Sequence, residues 1–206
     1  MIKGDYIVHV VDDEEAVRKS LAFLLTTAGF TVRIHKCGAD FLAIANNLQN
    51  CCLVTDLRMP EIDGVELLRM LKSDGNLMPS IVISGHGDVP MAVDAMKAGA
   101  LDFIEKPFAD DVLIDAIKLA ALRIAGHPAN KDDASAVKER LELLSERERE
   151  VLAGVVSGLP NKTIAYDLNI SPRTVEVHRA NVMQKMQAKS LPELVRQCIA
   201  AGSMSS

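Results

Sequence analysis

The chain has 206 residues, of which 49% are hydrophobic, 25% charged and only 3% aromatic, with no Trp. This length allows one or two domains, and the apolar content excludes a disordered chain and requires aliphatic cores. The formal charge of −5 is uneven, because residues 1–126 are net acidic whereas residues 159–190 carry five basic and two acidic side chains. Such a difference can indicate nucleic-acid contact in one part of the chain, although a short basic stretch is often only a solvated face.

The sequence also favours a cytoplasmic protein that has no contact with a membrane. The N-terminal apolar run, Tyr6–Val11, is closed at once by Asp12 and is too short for a signal peptide. No apolar run approaches the length that spans a membrane. The four cysteines have no CxxC pair and no metal-like spacing, so we expect reduced, apolar side chains at Cys37, Cys51, Cys52 and Cys198.

Five short apolar runs in the first half predict strands: Tyr6–Val11, Thr31–His35, Cys52–Thr55, Ser80–Ser84 and Leu101–Ile104. A segment with apolar residues at helical spacing follows each run, so the pattern predicts five strands that alternate with five helices. Such alternation is typical of an α/β fold with a parallel sheet covered on both faces. We expect a flavodoxin-like, doubly wound, five-stranded sheet with the strand order 2-1-3-4-5.

Polar side chains stand where four of these strands end. Asp12 and Asp13 follow the first strand, Asp56 follows the third, and Ser84 and Lys106 lie at the ends of the fourth and fifth. The carboxyl ends of parallel strands line one crevice, so the sequence predicts a single site there. Three clustered carboxylates require a cation, and oxygen ligands of this kind suit Mg²⁺. With a hydroxyl and a lysine to hold an anion, the set could place a phosphoryl group on Asp56.

Each of these residues also has a purely structural interpretation. Asp12 and Asp13 could start a helix, because acidic side chains favour a helix N-terminus. Asp56 could be a turn residue, and Lys106 could be an ordinary exposed lysine. Four such features at four strand ends of one sheet are much harder to obtain by chance, so the sequence favours the phosphoryl site.

Residues 4–124 resemble the receiver domain of two-component response regulators. The resemblance rests on the segments VVDDEE, LVTDLRMPEIDG, VISGHGD and FIEKPF. It implies that Asp56 accepts a phosphoryl group from a sensor histidine kinase. It also implies that Asp12, Asp13, Asp56 and the backbone carbonyl of Arg58 hold Mg²⁺.

The same resemblance implies a switch. Ser84 matches the switch hydroxyl, Phe103 the switch aromatic and Lys106 the lysine of the site, with a cis bond between Lys106 and Pro107. Phosphorylation would draw Ser84 inward, let Phe103 turn in and remodel the face of the fourth helix and fifth strand, around Val89–Lys106. That face would then pair with a second receiver about a two-fold axis.

Residues 125–140 are predicted to form a linker. The segment is polar, contains Gly and Pro, and has no apolar period over most of its length. Pro128 favours a break in any helix near residue 126. A helical pattern follows at Ala136–Leu144. We therefore predict one domain at 4–124 and a second at 141–202.

Four short helices are predicted in the second domain. Ser145, with Glu148 three residues later, forms a capping box at the start of the first helix, and Asn161 is predicted to cap the second. Ser171 caps the third helix and Pro172 takes its first position. A fourth apolar repeat follows. Two helices joined by a short turn, the second of them polar on its outer face, fit a helix-turn-helix.

The third of these helices is predicted to enter the major groove, where its outer face would meet bases and its flanks phosphates. The predicted DNA contacts are Lys162, Arg173, Thr174, Glu176, Val177, His178, Arg179, Ala180, Asn181 and Lys185. Periodicity alone favours equally an ordinary four-helix domain that binds another protein. His178 alone is more typical of a half-buried packing residue than of a base contact.

Residues 141–202 are similar to the LuxR-type DNA-binding domain of the FixJ/NarL subfamily of response regulators. The similarity rests on LSEREREVL and GLPNKTIAYDLNISPRTVEVHRANVMQKM. Together with the receiver it implies a transcriptional activator that is released from inhibition by phosphorylation and binds promoter DNA as a homodimer. The implied partners are a FixL-type sensor histidine kinase and RNA polymerase, and the implied targets are nitrogen-fixation genes.

Two other classes of function stay open on the sequence. A phosphatase with an aspartyl-phosphate intermediate would need a second carboxylate two residues after its nucleophile, and Arg58 stands there instead, so we expect no enzymatic turnover. A phosphorylated adaptor, whose C-terminal helices bind a protein rather than DNA, is the second alternative.

Overall fold

The computed structural model describes residues 6–85, 88–125 and 134–202. In chain order its elements are β1 (Ile7–Val11), α1 (Glu15–Thr27), β2 (Thr31–His35), α2 (Gly38–Ala45), β3 (Cys51–Asp56), α3 (Gly64–Ser73), β4 (Ser80–Ser84), α4 (Val89–Ala98), β5 (Asp102–Glu105), α5 (Asp110–Ile124), α6 (Ala134–Glu142), α7 (Glu146–Val156), α8 (Asn161–Asp167), α9 (Pro172–Met186) and α10 (Leu191–Ala200). The chain divides into two compact units, residues 1–87 with 98–129 and residues 88–97 with 130–206. None of the helices described has the length and apolar character needed to cross a bilayer.

The first unit contains a five-stranded parallel sheet with the order β2-β1-β3-β4-β5, which confirms the predicted flavodoxin-like α/β fold. In the register of the sheet, Val11 at the end of β1 pairs with Thr55 of β3, and Ser84 at the end of β4 pairs with Glu105 of β5. The carboxyl ends of these four strands therefore lie along one edge. The residues that follow them are brought to the same side of the molecule.

The two faces of the sheet are covered by different helices. One face packs on α1 and α5 through an aliphatic core that includes Val8, Val10, Leu25, Val54, Ile81, Ile83, Leu113 and Ile117. His9 lies on the other face of β1, where its ring centroid is 5.5 Å from that of Phe41 in α2. Successive side chains of β1 point to opposite faces of the sheet, so this strand contributes to both buried layers. The carboxyl edge of the sheet therefore lies between two covered faces.

Three predicted strands differ from the observed ones in their limits. The first starts at Ile7 instead of Tyr6. The third runs from Cys51 to Asp56, one residue longer at each end, and the fifth starts at Asp102 instead of Leu101. Leu101 is buried and its amide donates to the carbonyl of Ser80 at 2.7 Å. The paired register of β5 begins at Asp102, opposite Ile81, so Leu101 is bonded to β4 but lies just before the strand.

The second unit is helical and has its own apolar core. Leu144, Leu152, Val182 and Met186 are buried in it, and Val137 of α6 packs into the same cluster. Helix α6 therefore contributes to this core although it begins inside the segment predicted as a linker. The domain limits remain a prediction.

Local sequence signals explain how α7 and α9 begin. The capping box at Ser145 has both of its bonds: the side chain accepts from the Glu148 amide, and the Glu148 carboxylate accepts from the Ser145 amide. The Ser171 hydroxyl accepts from the Thr174 amide at 3.0 Å, with Pro172 as the first helical residue. Both predicted caps are confirmed.

The predicted cap at Asn161 is wrong. Pro160 holds the cap position of α8 and makes no side-chain cap bond, and Asn161 is the first residue of the helix itself. The Asn161 amide oxygen accepts instead from Arg179 Nη1 of α9 at 2.7 Å. The Asn161 side-chain oxygen therefore accepts from a guanidinium of another helix and not from a backbone amide of its own helix.

Candidate functional site

Three charged side chains meet at the carboxyl edge of the sheet. Lys106 Nζ lies 2.7 Å from Asp56 Oδ1 and 3.5 Å from Asp12 Oδ2. The side chains of Asp12, Asp56 and Lys106 are 3%, 14% and 28% exposed. The ammonium therefore bridges two carboxylates that come from neighbouring strands and are largely shielded from bulk water.

Burial and charge act in opposite directions in this cluster. Burial raises the pKa of the Asp12 carboxyl above its usual range, although the Glu14 amide and Lys106 favour its ionised form. For Lys106, burial alone would lower the pKa, but the hydrogen bond and charge of Asp56, with the charge of Asp12, raise it above its ordinary value. Lys106 is thus held as a cation, while Asp12 remains costly to ionise.

The loop after β3 fixes the Asp56 carboxylate in place. Asp56 Oδ2 accepts from the Arg58 amide at 2.7 Å, and Oδ1 accepts from Lys106. The chain then turns into α3 through Gly64, where a Cβ atom would lie 2.4 Å from the Asp56 carbonyl oxygen. Only glycine fits this close approach, so the turn that positions Asp56 depends on it.

The oxygen donors at this edge fit a magnesium ion by their chemistry. Asp12 is held by a hydrogen bond from the Glu14 amide to its Oδ1 at 2.8 Å, and Asp13, the next residue, is exposed. In the described part of the chain, no group of three or more His, Cys, Asp or Glu side chains is arranged to hold a metal. Mg²⁺ keeps several waters and takes one or two carboxylates, so a partial set of side chains is sufficient for it.

The residues of the predicted switch lie inside the first unit. Ser84 is 1% exposed, and its carbonyl accepts from the Lys106 amide at 2.8 Å. Phe103 of β5 is 9% exposed. The peptide bond between Lys106 and Pro107 is cis, which confirms that expectation. Ser84 and Phe103 are therefore both packed in the interior of the first unit.

One residue of this edge was missed by the sequence analysis. Arg18 Nη1, from α1, donates to the backbone carbonyl of Asp12 at 2.6 Å. The bond ties the helix to the loop that carries the acidic pair. Arg18 lies in the first turn of α1, which begins at Glu15, directly after the acidic pair. A basic residue at this position in the sequence could have indicated the bond.

The helix-turn-helix of the second unit is formed by α8 and α9. On α9, the exposed residues of the predicted DNA-contact set are Arg173, Glu176, Val177 and Ala180. Thr174, His178 and Asn181 are partly exposed, and Lys162 of α8 is exposed. The buried face holds Val175, Val182 and Met186, in agreement with the predicted apolar side of the helix.

Two basic residues of the predicted set are engaged within the protein. Arg179 donates to Asn161 Oδ1, as described above. Lys185 Nζ lies 2.7 Å from Glu148 Oε2 and 3.2 Å from the carbonyl oxygen of Leu143. The Glu148 residue is 4% exposed, and the Lys185 ammonium and the Ser145 amide lower the pKa of its carboxyl to about 2. These partners could not be recognised in the sequence.

Two family models match the chain. The response regulator receiver domain matches residues 8–118. The model of bacterial regulatory proteins of the luxR family matches residues 142–198. The two matches coincide with the sheet-forming and the helix-turn-helix parts of the chain.

Several known proteins are similar along nearly the whole chain. The transcriptional regulatory protein FixJ of Rhizobium meliloti is 64% identical over 198 residues, which are 96% of this chain and 97% of that protein. FixJ of Azorhizobium caulinodans is 56% identical over 195 residues, covering 95% and 92% of the two chains. The crystal structure of full-length FixJ from B. japonicum shares 48% identity and a TM-score of 0.56, covering 97% of this chain and 98% of the other.

Proposed function

This chain belongs to the response regulators that join a receiver domain to a LuxR-type DNA-binding domain, and we propose that phosphorylation of Asp56 switches on its activity as a transcriptional activator. The observation that carries the proposal is the position of Lys106, whose ammonium bridges Asp56 and Asp12 at the carboxyl edge of the sheet. We assign the receiver to 4–124, the linker to 125–140 and the DNA-binding domain to 141–202.

The phosphoryl donor in this proposal is a phosphohistidine of a sensor kinase of the FixL type. A carboxylate oxygen of Asp56 attacks the phosphorus, the new P–O bond forms, and the P–N bond breaks with its electron pair returning to the imidazole of the kinase. Lys106 already lies within hydrogen-bond distance of Asp56. Its ammonium can therefore donate to a phosphoryl oxygen once Asp56 is phosphorylated. The Ser84 hydroxyl donates to another phosphoryl oxygen.

The magnesium ion has a limited and defined role in this scheme. Asp12, Asp13, Asp56 and the backbone carbonyl of Arg58 would hold it, and when bound it neutralises charge on the phosphoryl group. The protein's own contribution is to hold Asp56 through the Arg58 amide and to hold Asp12 through Glu14 and Arg18. No carboxylate follows Asp56 by two residues, and we propose that the acyl phosphate is a signal rather than an intermediate of turnover.

The output follows from the same event. Rearrangement of Ser84 and Phe103 changes the face around Val89–Lys106, through which two receivers pair about a two-fold axis. Paired DNA-binding domains then engage two half-sites of promoter DNA, and the doubled contacts raise affinity. The bound dimer recruits RNA polymerase. Val177 and Glu176 are exposed on α9 and available to base edges, and Lys162 of α8 is available to phosphates.

The experiment combines phosphorylation, gel filtration and DNA binding on the full chain. Acetyl phosphate with Mg²⁺ should label the unaltered chain on one residue, shift it from monomer to dimer and produce salt-dependent binding to a promoter fragment. Asp56→Asn should remain unlabelled and monomeric while keeping its circular dichroism spectrum. Lys162→Ala should weaken binding and reduce its salt dependence.

Two results would overturn the proposal. Full DNA binding by a phosphorylated chain that stays monomeric would contradict the dimerisation step. A labelled dimer that shows no salt-dependent affinity for DNA from any source would favour the adaptor, whose helical domain binds protein instead.

A further inference from the structure

The recognition helix α9 carries three basic side chains, Arg173, Arg179 and Lys185. Only Arg173 projects as an exposed residue; Arg179 and Lys185 are partly buried and bonded to other helices of the same unit. We propose, on the basis of the proposed DNA-binding function, that Arg179 and Lys185 are positioning residues that fix α9 against α8 and α7, and that neither is a contact to the phosphate backbone.

The case for Lys185 rests on what its ammonium already holds. It joins Glu148 Oε2 at 2.7 Å and the Leu143 carbonyl oxygen at 3.2 Å, so two of its three N–H donors are used. Glu148 in turn accepts from the Ser145 amide at 2.8 Å. The C-terminal turn of α9 is therefore tied directly to the capping box that starts α7.

The burial of Glu148 makes its ion pair with Lys185 costly to break. Its side chain is 6% exposed, whereas that of Lys185 is 38% exposed. A lysine that turned towards a phosphate would leave a nearly buried carboxylate without its cation, and an uncompensated buried charge costs more than a solvent-screened phosphate contact returns. The geometry thus favours retention of the Glu148–Lys185 pair when DNA is bound.

Arg179 makes a second connection, from the middle of α9 to α8. Its guanidinium donates to the side chain of Asn161, the first residue of α8, at 2.7 Å. Arg179 also lies one turn before Val182, which is fully packed in the core of the unit. Arg179 thus bonds the middle of α9 to α8, and Lys185 bonds the C-terminal end of α9 to α7. Together the two bonds set the angle at which the exposed face of α9 is presented.

Electrostatics alone and positioning predict opposite results for one substitution. Glu148→Gln removes a negative charge from a domain that binds a polyanion, so charge alone should strengthen DNA binding. Positioning predicts weaker binding, because the partner that holds Lys185 has lost its charge. The matched control is Glu150→Gln on the same helix: Glu150 pairs with Arg147 at 2.8 Å, with side chains 42% and 39% exposed, and has no bond to α9 among the described contacts.

The experiment uses the full chain, phosphorylated with acetyl phosphate, and a DNA site selected from a random pool by the unaltered chain. We expect Glu148→Gln to lower affinity for this site about tenfold or more and to lower the ratio of specific to non-specific affinity. Glu150→Gln should bind as tightly as the unaltered chain or more tightly. Circular dichroism at the binding temperature must show every variant fully folded, so that reduced stability does not pass for reduced affinity.

The salt dependence of binding gives the second readout. Loss of a phosphate contact lowers the slope of log affinity against log salt by about 0.9 for each contact. Lys185→Ala and Arg179→Ala should lower affinity with the slope unchanged, and Lys185→Arg should restore part of it. If Lys185→Ala does not fold, Lys185→Arg and Glu148→Gln decide the question.

The failures of the two proposals are distinguishable. If the unaltered chain selects no DNA site, the proposed function fails first. If it selects a site, but Glu148→Gln binds more tightly or Lys185→Ala and Arg179→Ala reduce the slope, then these side chains are phosphate contacts and the present inference is wrong.

Discussion

The two units of this chain differ in how their buried carboxylates are compensated. In the first, two carboxylates share one lysine at the edge of the sheet, and burial raises the pKa of Asp12. In the second, the buried Glu148 carboxylate has its own lysine and a backbone amide, and its pKa is lowered to about 2. A cluster with excess negative charge favours the binding of a cation, whereas a fully paired one stabilises the fold.

The largest expected effect comes from breaking the fully paired cluster. Glu148→Ala should lower the free energy of unfolding of the helical unit by about 2–4 kcal/mol, because it removes the Glu148 bond of the capping box and leaves Lys185 without its carboxylate. Urea denaturation followed by circular dichroism measures the change.

A surface pair provides the control for this measurement. Lys118 and Asp115 on α5 lie 2.9 Å apart with side chains 54% and 71% exposed. Lys118→Ala should cost less than about 0.5 kcal/mol, as exposed pairs contribute little. Equal losses for Glu148→Ala and Lys118→Ala would show that the pairing of the second unit does not differ from an ordinary surface contact.

The turn beside Asp56 should be the most sensitive backbone position of the first unit. Gly64→Ala places a Cβ 2.4 Å from the Asp56 carbonyl oxygen, so the loop must shift, at a cost of about 2 kcal/mol in stability. The phosphorylation rate should fall more than this loss implies, because the shift displaces the acceptor. Gly85→Ala is the control, since no atom beyond its two chain neighbours lies within 4 Å of its Cβ position. A rate in Gly64→Ala that matches the unaltered chain would contradict the expectation.

Acid should weaken the first unit through the buried His9, which pairs with the partly exposed His35. His9 Nδ1 lies 2.9 Å from His35 Nε2, and burial, followed by the charges of His35 and Arg33, lowers the pKa of His9 from 6.5 to about 4. The unfolded chain therefore binds a proton that the folded one excludes. The contribution of neutral His9 to the free energy of unfolding is fully present above pH 6.5 and is lost as the pH falls towards 4. The loss is about 2 kcal/mol at pH 5.

The contribution of His9 can be separated from that of the carboxylates by difference. His9→Asn removes the titrating ring, so its stability should decline less between pH 7 and 5 than that of the unaltered chain, as measured by urea denaturation at each pH. Parallel pH profiles for the two proteins would assign the acid sensitivity to other groups.

The sequence predicted which side chains meet in the first unit better than which side chains meet in the second, for a geometric reason. In a parallel sheet, topology alone brings every strand end to one edge, so Asp56 and Lys106 could be placed together although 50 residues separate them. On a helix surface, a partner depends on the rotation and crossing angle of the neighbouring helix, which periodicity does not give.

Glu148 illustrates this limit in a single residue. Its bond to Ser145 is local, three residues away, and the capping-box pattern predicted it correctly. Its bond to Lys185 spans 37 residues and was not predicted. The Asn161 prediction failed in the same way, because a cap is the default for an isolated asparagine before a helix and the competing donor, Arg179, comes from α9.

The smallest effect should have the opposite sign. Asp12→Asn keeps an acceptor for the Glu14 amide, which lies 2.8 Å from Oδ1, but removes a buried negative charge that shares Lys106 with Asp56. Because burial penalises the charged form of Asp12, the substitution should raise the free energy of unfolding by about 1 kcal/mol while slowing phosphorylation. Asp13→Asn, at an exposed position, should change stability less. Urea denaturation with and without Mg²⁺ tests both variants: a loss of stability in Asp12→Asn without Mg²⁺ would mean that the cluster at the sheet edge is already compensated, and the contrast between the two units would no longer hold.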